Sequence, residues 1–244
     1  MTDPLLAVEE GGVQVGVHPE ATLFGLTFNV DTVISTLISA AIVVGFAFYL
    51  KARSTSGVPS GIQLAWETVT NWVEGQVEQN MGIRTAPFVV PLGIALFAFI
   101  LMSNWLAILP HAIERYVRPP TADVNLTFAL AFFVIILVHV TGFRKKGAGY
   151  LKRLVHPSPL MLPINIIEQL VQPFTLALRL FGNIFAGTVM VSILALLPAY
   201  VSWLPTSAWK LFDLAIGLIQ AIIFSVLTIV YFGFAAAQDE EAAH

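Results

Sequence analysis

Glu168, Arg179 and Asp213 lie inside long apolar stretches of this chain. A charge held at mid-bilayer costs about 2.5 to 3.5 kcal/mol on insertion scales, so such a group in a membrane span needs a partner or a task. Steps of four, three, four and four residues lead from Glu168 through Gln172, Thr175 and Arg179 to Asn183, which puts all five on roughly one face of a continuous helix. Asp213, Gly217 and Gln220, spaced by four and three, share a face of a second helix, with Thr228 not far round from it. Arginine stays protonated at any physiological pH; it cannot shuttle a proton and can only fix a positive charge or hold a carboxylate ionised. Two roles fit Arg179: an internal ion pair with Glu168 or Asp213 that fixes helix packing, or a charge presented to a partner. Asp213 can load and release a proton. Asn183 and Gln220 can hydrogen-bond water or a carboxylate, or serve as plain interhelical hydrogen bonds.

The remaining polar candidates point to less. His111 follows a span-ending proline, His139 lies near the inner end of an apolar span and His156 falls in a basic connection, and none has a second ligand at metal-binding spacing. No metal site, cofactor or catalytic residue is expected. Asp123 stands immediately before an apolar span, where an N-cap belongs, with proton chemistry as its other reading. There is no nucleophile elbow, phosphate-cradling glycine loop or internal repeat of the kind transporters carry. Cysteine is absent, which excludes a disulfide framework and a thiolate nucleophile.

The elements that hold these groups follow from composition. Of 244 residues 57% are hydrophobic and only 11% charged, with a mean hydropathy of +0.82. A soluble domain carries about a quarter charged residues, so this chain belongs in a membrane. The net charge of −3 and the lack of a basic block interleaved with aromatics exclude nucleic acid as a partner. The first 30 residues lack the basic start and compact apolar core of a cleaved signal, and the chain is expected to begin near Met1.

A helix needs roughly 20 residues to cross the hydrocarbon. Cut at its charges, the sequence yields five spans: 32–50, 88–109, 124–143, 164–197 and 208–236. The fold class is all-α and membrane-embedded, with a tail over 1–29, one helical membrane domain over 30–237 and a second tail over 238–244. Lys51, Arg53, Arg84, Arg144, Lys145, Lys146, Lys152 and Arg153 fall in two connections on the same side, which the positive-inside rule makes cytoplasmic, leaving the N-terminus outside and the C-terminus inside. Between the first two spans, Ile62, Trp66, Val69, Val73 and Val77 recur at helical spacing against Glu67, Glu74 and Glu78. This is an amphipathic surface helix whose acidic face is either a docking surface for protein or a solvated face. The last two spans would reach about 51 and 44 Å as straight helices, so they must tilt, bend or break, and Pro173 offers a break.

The run Leu176-Ala-Leu-Arg179-Leu-Phe-Gly-Asn183-Ile-Phe-Ala-Gly187 closely resembles subunit a of the rotary F-type ATP synthases. Pro120-Thr-Ala-Asp123-Val-Asn125, Pro163-Ile-Asn-Ile-Ile-Glu168 and the segment from Leu218 through Gln220 to Tyr231 look like further signatures of that family, in the right order. The resemblance implies a proton-conducting stator subunit of a bacterial plasma membrane, set against a ring of c subunits, with peripheral-stalk b-type subunits, the rest of the synthase and the lipid bilayer as its other partners. Such a subunit supplies two offset half-channels and hydrolyses no ATP itself. Arg179 takes the position of the essential arginine that meets the rotor carboxylate, with Asn183 and Gln220 beside it. Asp213 falls where many bacterial members have histidine and Thr188 where they have glutamate, so Asp213 is the candidate for the outer path. Glu168 is the candidate for the inner exit, followed on the same face by Gln172. Asp123 and Asn125 belong to a signature without an assigned role. A secondary ion transporter and a structural anchor of a membrane complex are the competing functions.

Overall fold

The computed structural model describes residues 20–23, 26–55, 57–108, 119–151 and 162–236. Two short antiparallel strands, β1 (Glu20–Leu23) and β2 (Leu26–Asn29), lead into α1 (Val30–Arg53). Then follow α2 (Gly61–Met81), α3 (Val89–Trp105), α4 (Val124–Lys146), α5 (Leu162–Leu194) and α6 (Ala199–Ala236). Short 3-10 turns at Leu106–Ile108, Pro120–Ala122 and Gly147–Leu151 join them. Four of the helices, α1, α4, α5 and α6, are long and apolar enough to cross a membrane, and α3 is a shorter apolar helix. The chain is a multi-pass, all-α membrane protein, and the strand pair within the stretch read as a tail is the one addition among the described residues. Glu168 lies on α5, but its side chain is outside the described residues, as are His111, Arg115, Arg118, Lys152, Arg153, His156 and the C-terminal 237–244.

The α6 helix organises the packing: it touches α2, α3, α4 and α5, and its widest interface is with α3. The reason is a continuous stripe along its inner half, where Ala221, Phe224, Ile229 and Phe232 are fully buried against Val73 and Val77 of α2, Ile100 of α3, Val134 of α4 and Leu180 of α5. Val73 and Val77 thus realise the apolar stripe expected of the surface helix, and Glu67 and Glu78 remain exposed. Ser60 starts that helix by accepting a hydrogen bond from the Gln63 amide. Buried and exposed chemistry are reversed on α1. Its buried face is Asp31, Thr32, Ser35 and Ser39, whereas Val33, Ile34, Leu37, Val44 and Phe48 point outward, the arrangement of a helix whose surroundings are lipid.

The last two helices differ most from the charge-based spans. The last helix begins at Ala199, nine residues before 208, because it runs through Pro205 rather than starting after it. Tyr200 and Trp203 therefore lie on its exposed first turns. Pro173 does not break α5, which runs as one helix through it with Pro173 buried. With 33 and 38 residues, α5 and α6 would extend about 50 and 57 Å. Both exceed the hydrocarbon thickness, so they must lie oblique to the membrane normal.

Candidate functional site

The two sides of α5 differ sharply. Pro173, Leu176, Ala177, Leu180, Ile184 and Gly187 are buried on the bundle side, at the three- and four-residue steps of one helical face. Thr175, Arg179, Gly182 and Ala186 are exposed on the other side, and Gln172 and Asn183 sit half-buried on the seam. Of the expected stripe, Thr175 and Arg179 face outward and Gln172 and Asn183 sit on the seam, while the Glu168 side chain lies outside the described residues. No ion pair or hydrogen bond to the Arg179 guanidinium exists among the described residues. A guanidinium in an apolar span, exposed on the side of α5 away from the described bundle, has its donors unmet by any described residue.

Asp213 lies half-buried on α6, on the side that meets α5. Its carboxylate rests on the α5 backbone at Gly187: a Cβ added there would lie 2.8 Å from Asp213 Oδ1 and 3.1 Å from its Cγ. A side chain at 187 would have to push that carboxylate away, so glycine is what lets it reach α5. Arg179, Asn183 and Gly187 are spaced by four, so the seat of the acid lies about two turns along α5 from the arginine. Thr188 is exposed, and its hydroxyl donates to the Ile184 carbonyl at 2.9 Å, which ties it to its own helix. Two amides lack partners. Gln220 is 95% buried, being 5% exposed, with Nε2 unbonded, and the buried Nδ2 of Asn183 is unbonded as well. An unmet buried donor costs about 1 to 3 kcal/mol, which marks both as places for water or a partner's acceptor.

A second polar region lies where the start of α1, the end of α3 and the start of α4 meet. Asp123 caps α4 by accepting from the Asn125 amide at 2.8 Å, and its other oxygen accepts from Thr32 Oγ1 at 2.7 Å and Asn29 Nδ2 at 2.6 Å. The capping expectation holds, and the same carboxylate staples α1 to α4. Asn125 contributes its backbone, its side chain being exposed. Thr121 Oγ1 donates to Asn104 Oδ1 at 2.8 Å, and Asn104 Nδ2 donates to the Gly217 carbonyl at 3.2 Å, one turn along α6 from Asp213. Asp31 is buried beside this group, and the hydroxyls of Ser35, Ser39 and Ser103 are buried without partners. Asp31, Thr32, Ser35, Ser39, Ser103, Asn104 and Thr121 were not singled out in the sequence. Four-residue spacing of Asp31, Ser35 and Ser39 within an otherwise apolar span was the available signal.

The structure therefore defines a helical multi-pass membrane protein with an arginine exposed on α5, a half-buried acid where α6 meets α5, and a Thr121–Asn104 pair that reaches α6 one turn from that acid. The sequence profile described as ATP synthase A chain matches residues 33–233. The protein named ATP synthase subunit a in Acidothermus cellulolyticus is 48% identical over 240 residues, 98% of this chain and 88% of that protein. Proteins of the same name in Mycobacterium marinum and Mycobacterium tuberculosis are 45% and 46% identical, each covering 99% of both chains. The chain belongs to the ATP synthase A chain family.

Proposed function

We propose that this chain is the proton-conducting stator subunit of the membrane sector of an F-type ATP synthase in a bacterial plasma membrane, with its N-terminus outside and C-terminus inside. Its partners are a ring of c subunits, peripheral-stalk b-type subunits and the remaining synthase. The observation that carries the reading is the Arg179 guanidinium, turned out of its own bundle with no partner among the described residues. A rotor carboxylate passing that face meets a permanent cation, which favours the anion because an opposite charge a few Å away lowers a carboxyl pKa. The carboxylate cannot pass Arg179 protonated without losing that attraction, and direct leakage between the two access paths is blocked.

On the outer side, the polar column Asp31–Ser35–Ser39 and Ser103–Asn104–Thr121 lets water-borne protons approach α6 at Gly217, and Asp213 relays them to the rotor site. Asn183 and Gln220 supply unmet N–H donors where the carboxylate or its waters sit. Glu168 and Gln172 belong to the inner exit. A proton crossing 100 mV releases about 2.3 kcal/mol, and because neither path spans the bilayer alone this appears as biased rotation. The test is Arg179→Ala in the assembled synthase. Coupled ATP synthesis and ATP-driven proton pumping are both lost while the complex still assembles; normal coupling in that variant refutes the assignment.

A further inference from the structure

Among the described residues three enclosed side-chain N–H donors lack a hydrogen bond: Asn183 Nδ2, Gln220 Nε2 and Trp209 Nε1. The mechanism above uses only the first two. Trp209 stands four residues before Asp213 on α6, so the two share a face, about 6 Å apart along the axis. Side chains on a helix lean toward its N-terminus, which tips the Asp213 carboxylate toward the turn of Trp209. Since α5 ends at Leu194 and α6 begins at Ala199, the step from Asp213 to Trp209 leads toward the connection between the two helices. In the topology proposed above, that connection is outside. Asn183 lies one turn inward of Gly187 on α5, and Gln220 lies two turns inward of Asp213 on α6. The unmet donors thus bracket the acid, with the indole on its outer side.

An interfacial tryptophan ordinarily rests its ring in lipid and keeps its N–H in the headgroup water. Trp203, earlier on the same helix, is exposed in that way. Trp209 is half-buried instead, its Nε1 is sealed from solvent, and its ring packs on Phe212 with the centroids 5.3 Å apart. Trp105 shows what a purely structural indole does in this bundle: its Nε1 donates to the Leu214 carbonyl at 3.3 Å, which ties α3 to α6. The Trp209 nitrogen has no such tie. An indole N–H only donates, so it calls for an acceptor, and a water oxygen is one. Lys210, the next residue, supplies a positive charge that also acts on Asp213.

We propose that Trp209 is a positioning residue of the outer access path: its indole N–H holds the water through which protons reach Asp213. The water oxygen accepts from Nε1–H, and one of its O–H groups donates to the carboxylate. A proton arriving from the outer side joins this water as the O–H proton passes to Asp213. That leaves a neutral water and a carboxylic acid, which hands its proton on to the rotor carboxylate. The indole never titrates; it orients the molecule that makes the transfer. The inference rests on the stator reading above and adds to the outer path a leg along the seam of α5 and α6. If the ring only packed, its shape would matter and its N–H would not.

The experiment uses the whole membrane sector in vesicles, stripped of the soluble head, with passive proton flux driven by an imposed potential. Trp209 is replaced site-specifically by benzothienylalanine, which keeps the shape of the ring and puts sulfur in place of the N–H. Flux falls by about fivefold at unchanged assembly, the scale of one lost orienting hydrogen bond. Fluorotryptophan at the same position keeps the N–H and holds flux near wild type. Trp209→Phe, which loses both the N–H and part of the ring, falls at least as far as benzothienylalanine. Wild-type flux with benzothienylalanine overturns the proposal, and so does an equal loss with fluorotryptophan. The two analogues preserve the packing and decide the question even where Trp209→Phe fails to assemble. In Asp213→Ala the flux that is left is the same with tryptophan or benzothienylalanine at 209, because the N–H acts through the acid; a further fivefold loss there also overturns the assignment. Arg179→Ala serves as the control: coupling lost there with flux unchanged by benzothienylalanine defeats this inference alone, whereas normal coupling in Arg179→Ala defeats the stator reading beneath it.

Discussion

Asp123 and Arg179 are both charged groups of a membrane-spanning bundle, yet their surroundings are opposites. Asp123 is 5% exposed and accepts hydrogen bonds from Asn29, Thr32 and Asn125. Arg179 is exposed on a face of α5 and bonds to none of the described residues. The first arrangement is complete within the chain, so it holds helices in place. The second, on the function proposed above, is complete only when the rotor arrives. Asp213 stands between these extremes, half-buried, seated on Gly187 and one turn from the last member of the polar column. Satisfied groups describe how the scaffold stands, and unsatisfied ones describe where water or a partner must act.

Substitutions sharpen that contrast. The largest effect after loss of Arg179 belongs to Asp213→Asn, which keeps the shape and removes the exchangeable proton. Passive proton flux through the head-stripped complex falls by roughly 100-fold, the scale of a lost proton-transfer group, and unchanged flux removes Asp213 from the path. Gly187→Ala comes next. It leaves the acid in place chemically but displaces it from α5, and flux drops by roughly tenfold, since misplacing a proton-transfer group costs much of its effect.

Asp123→Ala breaks the comparison from the other side. It removes a helix cap and the α1–α4 staple, so the membrane-extracted complex loses about 1 to 2 kcal/mol of stability, seen as a lower midpoint in thermal unfolding. Flux per assembled complex stays near wild type; a large loss of flux at normal stability would show that Asp123 is a proton carrier. The smallest effect is that of Ser39→Ala. Removing an unpaired buried hydroxyl costs almost no stability. Flux falls only about twofold, as expected for one hydroxyl among several that solvate a path.

Much of this was legible in the sequence for identifiable reasons. Glu168, Arg179 and Asp213 stood out because charge is costly in hydrocarbon, and the helical spacing of Arg179 and Asn183 forecast a shared side of α5. The cap at Asp123 could be read because it precedes an apolar run. The start of α6 could not be read from charge, because no charge lies between 198 and 208 and the helix continues through Pro205. Neither could the division of the α5 stripe: spacing gives a face, but only packing decides that Thr175 and Arg179 point outward while Gln172 and Asn183 sit at the seam. The seat of Asp213 on Gly187 and the Asn104–Gly217 contact join residues far apart in the chain, and hydrophobic periodicity within one helix carries no record of such pairings. Serines in a membrane helix commonly bond their own backbone, so Ser35 and Ser39 gave a faint signal until the tertiary fold buried their hydroxyls without partners.

The central claim is that the exposed face of α5 is met by the rotor. Cysteines placed singly at Thr175, Gly182 and Ala186 in the assembled synthase, each paired with cysteines along the c-subunit helix, test it directly by oxidative cross-linking. The account predicts bonds to the rotor from these three exposed positions and none from the buried Leu176, Leu180 and Ile184. Cross-links absent from the exposed face, or formed only within this chain, would contradict it.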